Sequence, residues 1–244
     1  MSIGNLFASL VANHRSSFFP IVSFDHATEH LLLMDFTASN TSITAAILAS
    51  TESFSAYVDQ VLRQANAKFG IGGYNEHRTV YSRSKVFDSV DGSEPRRLHL
   101  GVDIWGAVGT PVFAVADGHV HSIANNAAYG DYGATIILAH RNGGLEFYSL
   151  YGHLSLKDLH ELEPGQPIQG GSLIAHFGPP EENGQWPPHL HFQLILDMEG
   201  KEGDYPGVCR FSEREIYLAN CPDPDLMLQL IQYAKPPLST KYSS

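Results

Sequence analysis

Two short segments of this chain carry metal-ligating side chains at spacings a folded backbone can use. In LHLGVD, His99 and Asp103 stand four apart, and in PPHLHF, His189 and His191 stand two apart. Residues two apart on a β-strand project from one face, so His189 and His191 are expected to point into one site. Zinc accepts imidazole nitrogen and carboxylate oxygen, and a catalytic zinc keeps three protein ligands and one open position for water. Two histidines and one aspartate would leave a net positive centre, able to bring the pKa of a water toward neutrality and to polarise a carbonyl oxygen. The expected chemistry is hydrolysis by an activated water.

Neither spacing is specific by itself, because chance supplies a His–Asp gap of four often and an HxH pair only somewhat less often. The chain contains its own control. His119 and His121 form a second HxH after Asp117-Gly118, with no carboxylate partner comparable to Asp103. They are expected to be ordinary strand residues at a half-exposed position, and His140, His160 and His176 to lie at the surface or at strand ends. Nine of the thirteen histidines fall between His99 and His191, which directs attention to the middle of the chain.

The elements that must hold these residues are legible as a change of texture. Residues 40–69 read as helical, with Asn40 and Thr51 as caps and Phe54, Tyr57, Val58, Val61, Leu62 and Ala65 at i, i+3 and i+4 spacings. From residue 86 to about 196, short β-prone runs such as PVFAVADGHVHSI, ATIILAHRNGGLEFYSLYGHL and GGSLIAHFG are separated by turn signals. Asp117-Gly118 and Asn142-Gly143-Gly144 are expected as hairpin turns. Beyond Asp197, Ser212 with Glu215 and Asp223 before Pro224 mark two C-terminal helix starts. The expected fold is mainly β, an antiparallel β-sandwich or open-barrel core with helical additions at both ends. The expected sections are an N-terminal helical extension (1–85), a β domain carrying the site (86–197) and C-terminal helices packed on it (198–244).

Bulk properties narrow the partners. The formal charge of -11 argues against nucleic acid, since neutralising phosphates needs clustered Lys and Arg. Cys209 and Cys221 are the two cysteines, expected as reduced, half-buried thiols rather than a bridge. The first nineteen residues lack a positive n-region before an apolar stretch, and no apolar run approaches the roughly 18 residues of a membrane span. A cytoplasmic protein with no membrane partner is expected, with export by another route left open.

HLGVD, then YGHL at 151–154, then PHLHFQ at 188–193, occur in the order and approximate spacing of the lysostaphin-like, LytM-type zinc metalloendopeptidases, which have the duplicated-hybrid-motif fold. GTPVFAVADGHV and LEPGQPIQGGSLIAHFG resemble that family's framework, and the likeness covers about residues 98–194. The resemblance implies that His99, Asp103 and His191 hold one zinc ion per chain. It implies that His153 and His189 face the water and the oxyanion, and that the substrate is a peptide or a peptidoglycan-type crosslink. Two departures bear on substrate: Gln185-Trp186-Pro187-Pro188 stands where the family carries a Ser/Thr-Gly pair, and Gln193 where Glu is common. Trp186 is either a stacking surface for substrate or an exposed aromatic packed on its own loop. The resemblance also raises self-blocking, in which Asn75 or Glu76 of GIGGYNEHRTVY takes the open metal position; the competing expectation is a glycine-rich turn with solvated side chains. Two further functions stay open: a non-catalytic module binding peptidoglycan or protein, and a hydrolase acting on a small cytoplasmic amide or peptide.

Overall fold

The computed structural model describes residues 3–89, 92–142 and 144–237. Its strands in chain order are β1 (Leu31–Leu33), β2 (Phe69–Gly72), β3 (Glu76–His77), β4 (Leu98–His99), β5 (Val102–Trp105), β6 (Pro111–Phe113) and β7 (Gly118–Asn126). They continue as β8 (Gly133–Asn142), β9 (Leu145–Leu154), β10 (Pro167–Ile168), β11 (Leu173–His176), β12 (His189–Ile195), β13 (Val208–Cys209) and β14 (Ala234–Lys235). The helices are α1 (Ile3–Asn13), α2 (Ala45–Leu48), α3 (Thr51–Gln64), α4 (Arg214–Asn220) and α5 (Asp225–Leu228).

A nine-stranded sheet, ordered β10-β7-β8-β9-β12-β5-β2-β1-β14, carries the architecture; β11-β6 and β13-β4-β3 form two smaller sheets. The period-two alternation of the central strands explains their place. Along β12, Leu190, Phe192 and Leu194 enter the main core while His189, His191 and Gln193 occupy the other face, and every residue of the strand is buried. On β5, Val102 and Ile104 join the same core, leaving Asp103 and Trp105 opposite. Burying each large apolar side chain contributes roughly 1.5–3 kcal/mol, so a one-residue slip of β12 would turn its apolar row into the site and drive imidazoles into the apolar core.

The mainly β expectation holds, and the terminal sections add more than helices. β1 pairs in parallel with both β2 and β14, so residues on either side of the expected β section extend the same sheet. Parallel neighbours need a crossover connection, and α2 with α3 supplies it between β1 and β2. Helix α3 starts at Ser50, whose side chain forms a capping box with Ser53, and it buries Phe54, Val58 and Leu62 at i, i+4 and i+8. Thr51 is therefore the first helical residue rather than the cap. Asn40 does not cap a helix: its amide donates to the Asp35 carbonyl at 2.8 Å and to Tyr57 Oη at 3.2 Å. Helix α1 had no expectation attached; it buries Phe7 and Val11, and the Phe7 ring meets Phe147 edge-on.

Other local expectations change. Asp117-Gly118 is not a hairpin turn, because β6 pairs with β11 while Gly118 already begins β7, which pairs with β8 and β10. The β8–β9 hairpin is present with Asn142 opposite Leu145 and Gly144 at φ +81°, while Gly143 lies outside the described residues. At the C-terminal side Ser212 does not box with Glu215: it lies inside the short turn Phe211–Glu213 ahead of α4, where the Arg210 amide donates to Glu213 Oε2 at 3.3 Å. Asp223 accepts from the Asp225 amide at 2.9 Å, and Pro224 stands just before α5. Cys209 and Cys221 are free thiols, both fully buried rather than half-buried. Among the described residues no helix is long and apolar enough to cross a membrane.

Candidate active site

Three strands bring the first constellation together. His99 ends β4, Asp103 lies on β5 and His191 on β12, with Asp103 directly opposite His191 in the β5–β12 register. Directly opposed residues on neighbouring strands bring their side chains within contact range. Gly101 makes the approach possible, since a Cβ there would stand 2.6 Å from the His191 ring. The ligand atoms of His99, Asp103 and His191 all lie within 4.8 Å of one another.

The tautomers follow from the outer partners. His99 Nδ1 lies 2.9 Å from the Gly73 carbonyl, which can only accept, so Nδ1 carries the proton and Nε2 a lone pair. Gln193 donates its amide to the Pro206 carbonyl at 3.1 Å and to Cys221 Sγ at 3.3 Å, which turns its oxygen toward His191 Nε2 at 2.9 Å. His191 Nε2 is then the donor and Nδ1 carries the lone pair. Those two lone pairs face each other at 2.8 Å, with Asp103 Oδ1 at 3.2 and 3.0 Å from them. Three converging lone-pair donors with no proton among them repel unless a cation stands between them, so the donor set fits a divalent metal. Nitrogen-rich ligation of this kind suits zinc.

His153 and His189 lie beside the triad, with ring centroids 4.0 Å apart and the His189 ring stacked on Trp105. Each is oriented by a carbonyl of the proline-rich stretch 178–188: His153 Nδ1 donates to Asn183 O and His189 Nδ1 to Pro187 O, both at 2.7 Å. The free nitrogen of each ring is therefore Nε2. His153 adopts φ +63°, a left-handed conformation costing on the order of 1 kcal/mol or more. Its amide donates to the Tyr132 carbonyl at 2.8 Å and its carbonyl accepts from Gly178 at 2.9 Å, which holds it there. The carbonyl that orients His189 belongs to Pro187, within the stretch that departs from the family pattern.

The site is enclosed: its five residues are between 1 and 6% exposed. They stand in or beside a cavity of about 130 Å³ whose walls include Phe36, Phe54, Tyr81, Phe87 and Trp186. Burial pushes His99 down to about 3, with the Arg78 charge adding to it, and His189 down to about 4. Burial, then the neighbouring His189, lowers His153 well below the usual imidazole value. Burial opposes ionisation of Asp103, but its neighbours, with the Arg78 guanidinium donating to Oδ2, hold its carboxyl well below the usual range. At neutral pH burial therefore favours neutral rings at His99, His153 and His189 beside an ionised Asp103.

Other expected residues lie elsewhere. Asn75 and Glu76 do not join the cluster, because arginines engage both side chains. Asn75 Oδ1 accepts from Arg214 Nε at 2.8 Å, and Glu76 accepts from Arg78 Nε at 2.6 Å and from the Phe36 amide at 3.4 Å. Trp186 is buried beneath Phe54, Tyr81 and Phe87 rather than exposed on its loop. His140 is buried too, its ring nitrogens meeting Asp117 O at 2.9 Å and Ser149 Oγ at 2.7 Å. Sequence reasoning missed Arg78, Tyr81 and Tyr132 as site neighbours. Only the glycines before Arg78 hinted that a bulky side chain passes there.

The family model described as Peptidase family M23 matches residues 97–203, the stretch that contains all five site residues. That stretch, a little under half of the chain, is similar to a peptidase family M23 domain. An uncharacterized metalloprotease of Haemophilus influenzae is 39% identical over 101 residues, covering 41% of this chain and 19% of that protein. An L-Ala–D-Glu endopeptidase of Bacillus subtilis is 31% identical over 125 residues, covering 49% of this chain and 36% of that protein. The chain thus spans between about a fifth and about a third of the length of these curated relatives. The solved structure of the antimicrobial peptidase lysostaphin from Staphylococcus simulans aligns with TM-score 0.37 and 24% identity, over 67% of this chain and 51% of that one.

Proposed function

We propose that the chain is a zinc-dependent metallopeptidase hydrolysing a peptide or amide bond, with His99, Asp103 and His191 holding one zinc ion and His153 and His189 handling protons. The observation that carries this reading is the convergence of two imidazole lone pairs and one carboxylate oxygen beside two further imidazoles whose Nε2 atoms are free. Zinc in such a site supplies a Lewis acid and a water of lowered pKa. A neutral imidazole of the second pair accepts the proton of the attacking water, and the resulting N–H then serves the oxyanion or returns the proton to the leaving amine. Their burial favours the neutral, proton-accepting form before each cycle and keeps competing water out.

Peptide crosslinks of the peptidoglycan type are the first substrate class, supported by the family and by the endopeptidase relative. The aromatic walls of the cavity, Phe36, Phe54, Tyr81, Phe87 and Trp186, favour a second reading, a small peptide or amide, which would also suit a cytoplasmic location. On either reading, 1–85 furnishes a roof, 86–197 the site and 198–244 a flank. Against a purely binding role stands the orientation of both non-ligand histidines by dedicated carbonyls. The test is metal content of the purified protein, followed by digestion of cell-wall sacculi and of a small peptide and amide panel, with and without chelator. One zinc per chain and chelator-sensitive cleavage are expected; protein that takes up no zinc, or cleaves nothing while fully loaded, overturns the reading.

A further inference from the structure

Arg78 lies where an arginine is costly to bury, almost wholly removed from solvent among the rings of Trp105, Phe36 and Tyr81 at 5.4, 5.5 and 5.9 Å. Its donors are nearly all spent on the protein. Nε donates to Glu76 Oε2 at 2.6 Å, Nη2 to the Gly72 carbonyl at 3.3 Å, and Nη1 to Tyr81 Oη at 3.3 Å and to Asp103 Oδ2. Gly73 clears its path: the residue sits at φ +102°, and a Cβ there would stand 1.7 Å from Nη2. A buried ion pair adds little stability over well-packed apolar side chains, so this cradle has another use. With its donors taken, Arg78 presents little to a substrate, and the metal-site atom it touches is Asp103 Oδ2. The other oxygen, Oδ1, faces His99 Nε2 and His191 Nδ1.

Resting on the metal site proposed above, we infer that Arg78 is a positioning residue that fixes Asp103 as a one-oxygen metal ligand. A carboxylate can ligate through one oxygen or two. The guanidinium caps Oδ2 and leaves Oδ1 to the metal, and Glu76 anchors the opposite side of the fork. Partners of this kind around a ligand are typically worth 10–100-fold in metal affinity.

The test compares metal-depleted wild type with Arg78→Met and Arg78→Lys. Zinc affinity is measured by competition with a chromophoric chelator, and ligation by the visible absorption of the cobalt-substituted proteins. Arg78→Met is expected to bind zinc about 10–100-fold more weakly, with a less intense cobalt spectrum as the freed second oxygen joins the metal. Arg78→Lys keeps the charge but cannot span Asp103 and Glu76, and is expected to lose at least about threefold. Wild-type affinity and spectrum in Arg78→Met overturn the inference, as does a lowered melting temperature with both metal readouts unchanged, which marks a merely structural role. Should Arg78→Met fail to fold, wild-type affinity in Arg78→Lys overturns it alone. Wild type that binds no metal overturns the metal site itself, a separate outcome from wild type that binds and an Arg78 variant that binds equally well.

Discussion

The chain writes the same tripeptide pattern twice, and the two HxH pairs meet different fates. His189 and His191 lie on β12, a strand buried along its whole length between β9 and β5, where regular pairing keeps both rings on one face and sets His191 opposite Asp103. His119 and His121 lie on β7, whose register with β8 shifts between Val120 and Ser122, so His121 falls at the irregularity. There His119 is exposed and His121 half-buried, its Nδ1 meeting Ser122 Oγ at 2.8 Å. Spacing alone does not make a site. A strand buried on both faces, an unbroken register and a carboxylate on the neighbouring strand do.

The largest expected effect comes from removing that carboxylate. Asp103→Ala should abolish metal binding and cost about 3–5 kcal/mol of stability, because Arg78 loses a buried partner; metal analysis and urea unfolding measure both. Stoichiometric zinc in that variant would erase the distinction between the two HxH pairs. His153→Ala and His189→Ala should each lower turnover by about 10²–10⁴-fold while zinc stays bound, and full activity in both would remove their proposed role. Gln193→Leu deletes the oxygen that receives His191 Nε2–H, so chelator competition should show zinc held about 10–100-fold more weakly.

Acid should act on both regions of the metal-free protein. Burial holds His189 and His140 at about 4 in the folded state, below the unfolded value of about 6.5. The unfolded chain therefore binds more protons between those values. The stability from keeping these rings neutral is complete above about pH 6.5 and is lost as pH falls toward 4, approaching about 1.4 kcal/mol per pH unit for each group. Urea unfolding at pH 7 and pH 5 should show the slope, and His140→Asn should flatten it by one group; an unchanged slope would mean that His140 titrates normally. Smallest of all, the double change His119→Ala and His121→Ala should leave zinc content unaltered and stability within about 0.5 kcal/mol.

Much of the site is legible in the sequence. Strand periodicity, which is local, set His189 and His191 of PHLHFQ on one face, and the family resemblance singled out His99 and Asp103 of HLGVD to join them. Caps and hairpin turns were less reliable. Ser50 rather than Thr51 caps α3, since cap choice depends on which side chain reaches the free amides, and Asp117-Gly118 joins strands of different sheets. Asn75 and Glu76 looked available for the metal; Arg214 and Arg78, one of them 139 residues away along the chain, draw them off.

By itself the sequence determined which chemistry is present, histidines and a carboxylate at strand spacing, and the mainly β texture that carries them. Tertiary structure decided which HxH is enclosed, which ring nitrogen stays free and which arginine caps Asp103. The physical reason is that tautomer, burial and ion pairing depend on partners far apart in the chain, such as Gly73 for His99, Asn183 for His153 and Arg78 for Asp103. Only folding brings those atoms within hydrogen-bonding distance.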